Sequence, residues 1–374
     1  MIRSTVCITE YKNDYIAWLD SDSRMERLSV TVPESDITGN IYVGRIKHVV
    51  KNLKACFVEF EQDTLGFLSF NDINEGIRPI EGTELIVQVI KEASKNKEAV
   101  LTSKPSISGI YCAATLEKPS VNISRKITGE KRASLREAIP KDDECSATIR
   151  TNALLAENDT LIKEEAQRLY EKLKQLKEIS KTRKAPSLIY KKEPEYINFI
   201  KGLPLDSYER ILTDIPKVYE NIKEYANAVL YTDDYPLSKL YSLDTKLEEI
   251  MSERIWLKCG GNIVIQYTEA MTVIDVNSAK NISAKDRDEN ILLINKEAAY
   301  QIARQLRLRN ISGIIIVDFI NMHTQEAKDE LIEYIKSLLI NDPVRCDYVD
   351  MTSLGLVEIV RKKIKPPIYE ILRQ

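Results

Sequence analysis

The feature that most constrains this chain is a pair of short apolar stretches, each carrying an acid at its end. They read Met271-Thr272-Val273-Ile274-Asp275-Val276-Asn277 and Gly313-Ile314-Ile315-Ile316-Val317-Asp318, with a helix-length segment between them. Ile314 to Val317 shows no polar alternation, which predicts a strand buried on both faces. An aspartate ending such a strand is costly unless something compensates its charge. Strand alternation places Asp275 and Asn277 on one face, and Asp318 on the face of Ile314 and Ile316. If the two strands are neighbours, these three side chains converge at one end of a sheet. Two carboxylates and an amide oxygen are hard donors that suit Mg²⁺, with Mn²⁺ as a substitute. Such an ion, keeping most of its waters, would supply a nucleophile and neutralise a phosphate. Spacing alone also admits the commoner use of aspartate, as a cap on a following helix or turn.

Composition narrows the classes. A chain of 374 residues has room for two or three domains and a sizeable core. Its formal net charge of −3 excludes nucleic-acid binding by bulk charge, so any such site must be a local basic patch. Cys7, Cys56, Cys112, Cys145, Cys259 and Cys346 are scattered, which fits a reducing cytoplasm and neither a disulfide framework nor a zinc knuckle. The first residues lack a signal-peptide core, and no apolar run reaches membrane-spanning length, so a soluble cytoplasmic protein is expected. With His48 and His323 the only histidines, a histidine acid/base pair is an unpromising source of catalysis.

Along the chain, residues 1–36 read as three short strands that must pack on something later. Residues 37–103 carry five more, at Ile41–Ile46, Ala55–Phe60, Gly66–Phe70, Leu85–Ile90 and Ala99–Thr102, the pattern of a small OB barrel. Cys56, Val58 and Phe60 share its core face. Phe57 and Phe67 fall on the other, near Arg45, Lys47, Lys95 and Lys97, where they would form a stacking platform for single-stranded RNA or else fill a barrel or a contact between domains. In residues 104–187, a strand Cys145–Thr151 ends on Arg150-Thr151, a fork and a hydroxyl suited to a terminal phosphate, or simply an exposed pair. A helix over Asn158–Ile179 follows, with an apolar stripe of Ile162, Ala166, Leu169, Leu173 and Leu176. Residues 163–192 hold ten Lys/Arg against four Glu, either a solvated face or a phosphate contact. Residues 188–250 alternate short helices and strands without visible chemistry. In residues 251–374, Arg304, Arg307 and Arg309 end the helix between the two acid-bearing strands, where they suit the helix dipole and RNA phosphates alike. Thr324 opens another helix, Arg345–Met351 and Val357–Val360 predict closing strands, and the tail from Arg361 is basic.

Ile274-Asp275-Val276-Asn277-Ser278, Ile302-Ala303-Arg304-Gln305-Leu306-Arg307-Leu308-Arg309 and Gly313 through Asp318-Phe319-Ile320-Asn321-Met322, in that order, resemble the catalytic core of the ribonuclease E/G family. The resemblance implies that Asp275 and Asp318, with Asn277, bind a catalytic Mg²⁺. It further implies an α/β multidomain fold with an RNase H-like subdomain (1–36 and 188–250), an inserted OB-fold RNA-binding barrel (37–103) and a 5′-sensor subdomain (104–187). A deoxyribonuclease-I-like catalytic subdomain (251–374) completes it. Phe57, Phe67 and Lys97 match the family's RNA-binding positions. Gly109, Arg150 and Thr151, with Arg345 from the catalytic part, match its sensor for an RNA 5′-monophosphate, and Ala113 occupies another matching position. The implied activity is endonucleolytic cleavage of single-stranded RNA, leaving 5′-phosphate and 3′-hydroxyl ends, in RNA processing or decay. A non-catalytic RNA-binding factor with a relic metal site is the alternative, and a ribosome-associated binder a third. The chain departs from the family at Asn321, where the motif has a second acid, and over residues 283–290, which are Lys/Asp-rich where the family has a Gly pair and a Thr. It also lacks the Cys-x-x-Cys zinc link and small dimerisation domain, so no zinc and a monomer or weak dimer are expected.

Overall fold

The computed structural model describes residues 4–31, 37–93, 97–225, 227–278 and 287–372. Lys95 and residues 283–286, singled out above, lie outside them. The chain divides into two compact units, one of Met1–Val30 with Tyr208–Gln374 and one of Thr31–Ser207.

In the first unit the opening strands find the partner their sequence demanded. Ser4–Tyr11, Asp14–Ser21 and Arg24–Thr31 form a meander, with left-handed backbone at Lys12-Asn13 and Asp22-Ser23 making the tight reversals. Ser4–Tyr11 then pairs in parallel with Arg210–Thr213, which pairs with Ala228–Leu230. Cys7, Ile16, Trp18 and Met25 bury against Leu243, Leu247 and Ile250 of the helix Leu243–Met251.

The same unit holds a six-stranded sheet in the order Arg254–Trp256, Asn262–Tyr267, Met271–Asn277, Gly313–Asp318, Leu356–Arg361, Cys346–Met351. Its central pair is parallel and is linked through the helix Arg287–Leu308. That helix and Gln325–Leu339 both pack on one face, where Ile274, Val276, Ile315 and Val317 meet Ile294, Ala298, Ile302, Leu331 and Ile335. The expectation of a strand buried on both faces is therefore wrong: Ile314 is 47% exposed and Met271 36%. An apolar run says nothing about which side its covering helices take, and here both take the same side. The hydroxyl of Thr324 caps the second helix by accepting the Ala327 N–H at 3.4 Å, with exposed His323 in the turn before it.

The second unit contains a closed five-stranded barrel consistent with an OB-like fold. Ile41–Val50, Ala55–Glu61, Thr64–Ser69, Ala99–Thr102 and Glu84–Lys91 follow one another around it, and the last closes on the first through Ile41↔Gln88 to Arg45↔Glu84. Cys56, Val58 and Phe60 are fully buried inside, as their phase required. Beside it a four-stranded sheet packs under the helix Asp159–Thr182, whose five predicted stripe residues are all buried. Asn158 caps this helix by accepting the Leu161 N–H at 3.2 Å. Its basic surplus is partly neutralised by Lys174–Asp142 at 2.5 Å and Lys177–Glu144 at 2.6 Å, which favours the solvated-face reading. No helix among the described residues is long and apolar enough to cross a membrane.

Arg361 belongs to the closing strand and not to a basic tail. Its guanidinium is 2% exposed; Nε and Nη2 donate to the two carboxylate oxygens of Asp342 at 3.0 and 3.1 Å, while Nη1 reaches Asn310 Oδ1 and Ile311 O. Every donor that matters is matched, so removing one partner strands a buried charge. Asp342→Ala is expected to lower stability by about 3–5 kcal/mol, read as a shift in the urea midpoint; an unchanged midpoint would show the pair to be dispensable.

Candidate active site

The two acid-bearing strands are adjacent and parallel, and their register sets Asp275 directly opposite Asp318. Neighbouring strands lie about 4.8 Å apart, so the two carboxylates leave the sheet side by side. Both are exposed, on the face away from the helices. Asn277, two residues on and on the same face, donates its amide N–H to Asp275 Oδ2 at 2.7 Å, which fixes that carboxylate's rotation. The helix after Asp318 is capped by Thr324 and not by Asp318, and the described partner of Asp275 is Asn277.

Among the described residues, no three His, Cys, Asp or Glu side chains gather as a metal cage. The donor set is two carboxylates with an amide beside them, open to solvent. This fits a hard ion that keeps several waters, as Mg²⁺ does, and does not fit an all-protein tetrahedral site.

Residues that the motif did not single out hold this end of the sheet. Asn295 of the Arg287–Leu308 helix is fully buried, donates to Ile320 O at 2.8 Å and accepts the Ile320 N–H at 3.1 Å. It thereby clamps the loop that leaves Asp318. Glu297 of the same helix accepts the backbone N–H groups of Lys258 and Cys259, the latter at 3.0 Å. Gly261 lies so close to Asn277 that an added Cβ would stand 2.6 Å from the Asn277 carbonyl oxygen. The only sequence signal for Asn295 was a polar residue interrupting the apolar stripe of Ile291, Ile294 and Ala298. Asn321 is exposed, and its Oδ1 lies beside Gly355.

The arginines ending that helix do not serve as expected. Arg304 donates to Met25 O at 2.5 and 3.1 Å and sits beside Glu26, while Arg309, 3% exposed, donates to Gln305 Oε1 and Ser252 O. Burial lowers the pKa of both. They tie the helix to its surroundings; Arg307, like Arg304, is half-exposed.

The profile of the Ribonuclease E/G family matches residues 106–364. Ribonuclease E of Haemophilus influenzae is 31% identical over 399 residues, covering 99% of this chain and 42% of that protein. The chain belongs to the ribonuclease E/G family. Ribonuclease E of Synechocystis sp. is 29% identical over 100% of the chain and 59% of its own length, and ribonuclease G of Haemophilus influenzae is 28% identical over 90% of the chain and 74% of its own length. The chain thus spans 42% and 59% of these two ribonuclease E relatives.

The other positions matched to the ribonuclease E/G family lie in the second unit, apart from Arg345. Phe57 and Phe67 pair across adjacent strands, half-buried, with ring centroids 6.1 Å apart in an edge-to-face arrangement. His48 flanks Phe57 and Val100 flanks Phe67 in the same cross-strand row. Lys97 is exposed, whereas Lys47 is tied to Glu59 at 2.8 Å and Arg45 to Glu84 at 2.7 Å.

At the candidate phosphate sensor the strand ends at Ile149, one residue before Arg150, whose N–H donates to Tyr111 O at 2.7 Å. Arg150 Nη1 donates to Gly109 O at 2.6 Å, and burial pulls the guanidinium pKa down against the opposing pull of Glu165. Glu165 is 7% exposed and accepts the N–H groups of Ile110, Tyr111 and Cys112 at 2.7, 2.7 and 2.9 Å. A Cβ on Gly109 would stand 2.3 Å from the Glu165 carboxyl carbon, so only glycine fits there. The Gly109 N–H itself donates to Cys112 O at 2.7 Å. Thr151 is exposed and shares a 3.0 Å hydrogen bond with Ser124. Arg345, 70% exposed, pairs with Asp347 at 2.7 Å in the first unit.

Replacing Asn295 with Ala should leave the Ile320 N–H and C=O without their partner, at a cost of about 1–3 kcal/mol. Amide hydrogen exchange at Ile320 should accelerate well beyond that of the neighbouring core; equal protection in both proteins would remove Asn295 from its role as clamp.

Proposed function

We propose that this chain is an endoribonuclease that hydrolyses phosphodiester bonds in single-stranded RNA with Mg²⁺, leaving 5′-phosphate and 3′-hydroxyl ends. The observation that carries the reading is the Asp275–Asp318 register with Asn277 bonded to Asp275. Side-by-side carboxylates repel each other mildly, and a cation between them relieves that repulsion. Asp275 and Asp318 would hold that ion, with Mn²⁺ as an acceptable substitute and no zinc required. Asn277 keeps the Asp275 carboxylate turned toward it. When bound, the ion supplies a water of lowered pKa and neutralises charge on the phosphate.

We read the five-stranded barrel as an RNA-binding OB fold using Phe57, Phe67 and Lys97, and the first unit's two sheets as RNase H-like and deoxyribonuclease-I-like subdomains. Gly109, Arg150 and Thr151, with Arg345, would sense a 5′-monophosphate. The subdomain limits are those set out from the sequence, and the setting is cytoplasmic RNA processing or decay. Asn321, standing where the family has an acid, favours one competing reading, an RNA-binding factor whose metal site is a relic.

Asp275→Asn and Asp318→Asn should each lower the rate of Mg²⁺-dependent cleavage of an unstructured oligonucleotide by roughly 100-fold or more, with circular dichroism unchanged. Cleavage at the parental rate by either variant would remove the assignment. Tight, salt-sensitive binding with no cleavage by the parent protein in Mg²⁺ or Mn²⁺ would select the relic reading.

A further inference from the structure

The open face of the six-stranded sheet carries a second feature next to the two aspartates. Its edge strand Arg254–Trp256 pairs with Asn262–Tyr267 so that Trp256 stands opposite Asn262, and Asn262 in turn stands opposite Asn277. The three side chains form one row across three strands, at the same end of the sheet as Asp275 and Asp318. Two strand spacings put Trp256 about 10 Å from Asn277.

Two members of the row have an unmet capacity or an unusual exposure. Trp256 is 66% exposed, although indole surface is costly to leave in water. The Arg254 guanidinium lies 5.9 Å from the centre of its ring, a cation–π contact that supports the indole from its own strand. Asn262 is half-buried, and its Oδ1 is shut off from solvent with no hydrogen-bond partner. A buried amide oxygen without a partner costs free energy, which a turn of the Asn262 side chain toward a ligand donor would recover.

We infer that Trp256 and Asn262 form a nucleotide subsite beside the active site. One unpaired base of the RNA stacks on the Trp256 indole, and its edge or ribose hydroxyl bonds to the Asn262 amide. Aromatic rings grip single-stranded bases in this way because every base has a π face. Arg254 adds positive charge where the phosphates run. The row leads straight to Asn277, so the stacked base lies only a few nucleotides from the scissile phosphate. Trp256 acts as a positioning residue: it fixes where the strand lies over the carboxylates. The inference rests on the nuclease reading for its consequence in cleavage, but not for the stacking itself.

The chain's other tryptophan, Trp18, is fully buried, so the solvent-exposed part of the indole fluorescence belongs to Trp256. The Asp275→Asn protein, which should bind without cutting, is titrated with an unstructured oligoribonucleotide. The emission of Trp256, obtained by subtracting the spectrum of the Trp256→Ala version, should be quenched on binding. Trp256→Ala should weaken affinity roughly 5- to 150-fold, the equivalent of about 1–3 kcal/mol, and Trp256→Phe should restore most of it. A set of oligonucleotides each carrying one abasic nucleotide should contain a position at which Trp256→Ala costs nothing further. In the cleaving protein, Trp256→Ala should raise KM more than it lowers kcat. Unquenched emission with unchanged affinity overturns the subsite while leaving the nuclease reading intact. Quenching that follows protein concentration and not RNA also overturns it, by assigning the face to self-association. Quenching by RNA in a parent protein that cannot cleave keeps the subsite and sinks the nuclease.

Discussion

The parallel pairing of Met271–Asn277 with Gly313–Asp318 is the constraint on which the rest depends. Its register is set by the core: Ile274 and Val276 on one strand, Ile315 and Val317 on the other, all face the same two helices. A slip of one residue would send this apolar set to solvent and the carboxylates into the core, which the hydrophobic effect forbids. The meeting of Asp275 and Asp318 is therefore inherited from packing and not from any attraction between them. Left alone, two like charges side by side are mildly unfavourable. A local conflict held in place by a well-satisfied core is where a functional site is expected.

Much of this was legible in the sequence because it depends on local pattern. Strand alternation put Asp275 and Asn277 on one face, and five short strands with the right phase announced a barrel whose Cys56, Val58 and Phe60 lie inside. The amphipathic stripe from Ile162 to Leu176 fixed the long helix to within a few residues. What residue types alone left open was whether the aspartates cap or coordinate; the resemblance to the ribonuclease E/G family favours coordination, and the register sets the two side by side.

The misreadings share one cause, namely partners far away along the chain. Ile314 looked buried on both sides because its burial depends on where two later helices return. Arg304 and Arg309 looked like RNA contacts, yet their guanidinium groups are occupied by the backbone of Met25 and Ser252. Arg361 seemed part of a basic tail until Asp342 closed on it. Asn295 and Glu165 are single polar residues set among apolar ones, each gripping a backbone segment from a distant element. No periodicity in the sequence distinguishes such a clamp from an exposed polar residue, because the signal lies in the segment it holds.

The central claim is that Asp275 and Asp318 act as one ligand set, and the affinity for Mn²⁺ tests it without recourse to cleavage. Dissociation constants measured by titration for the parent, Asp275→Asn, Asp318→Asn and the double variant form a thermodynamic cycle. If both carboxylates hold one ion, either substitution alone should cost nearly as much as the two together. Losses that simply add, or a parent protein that binds no ion, would contradict the account.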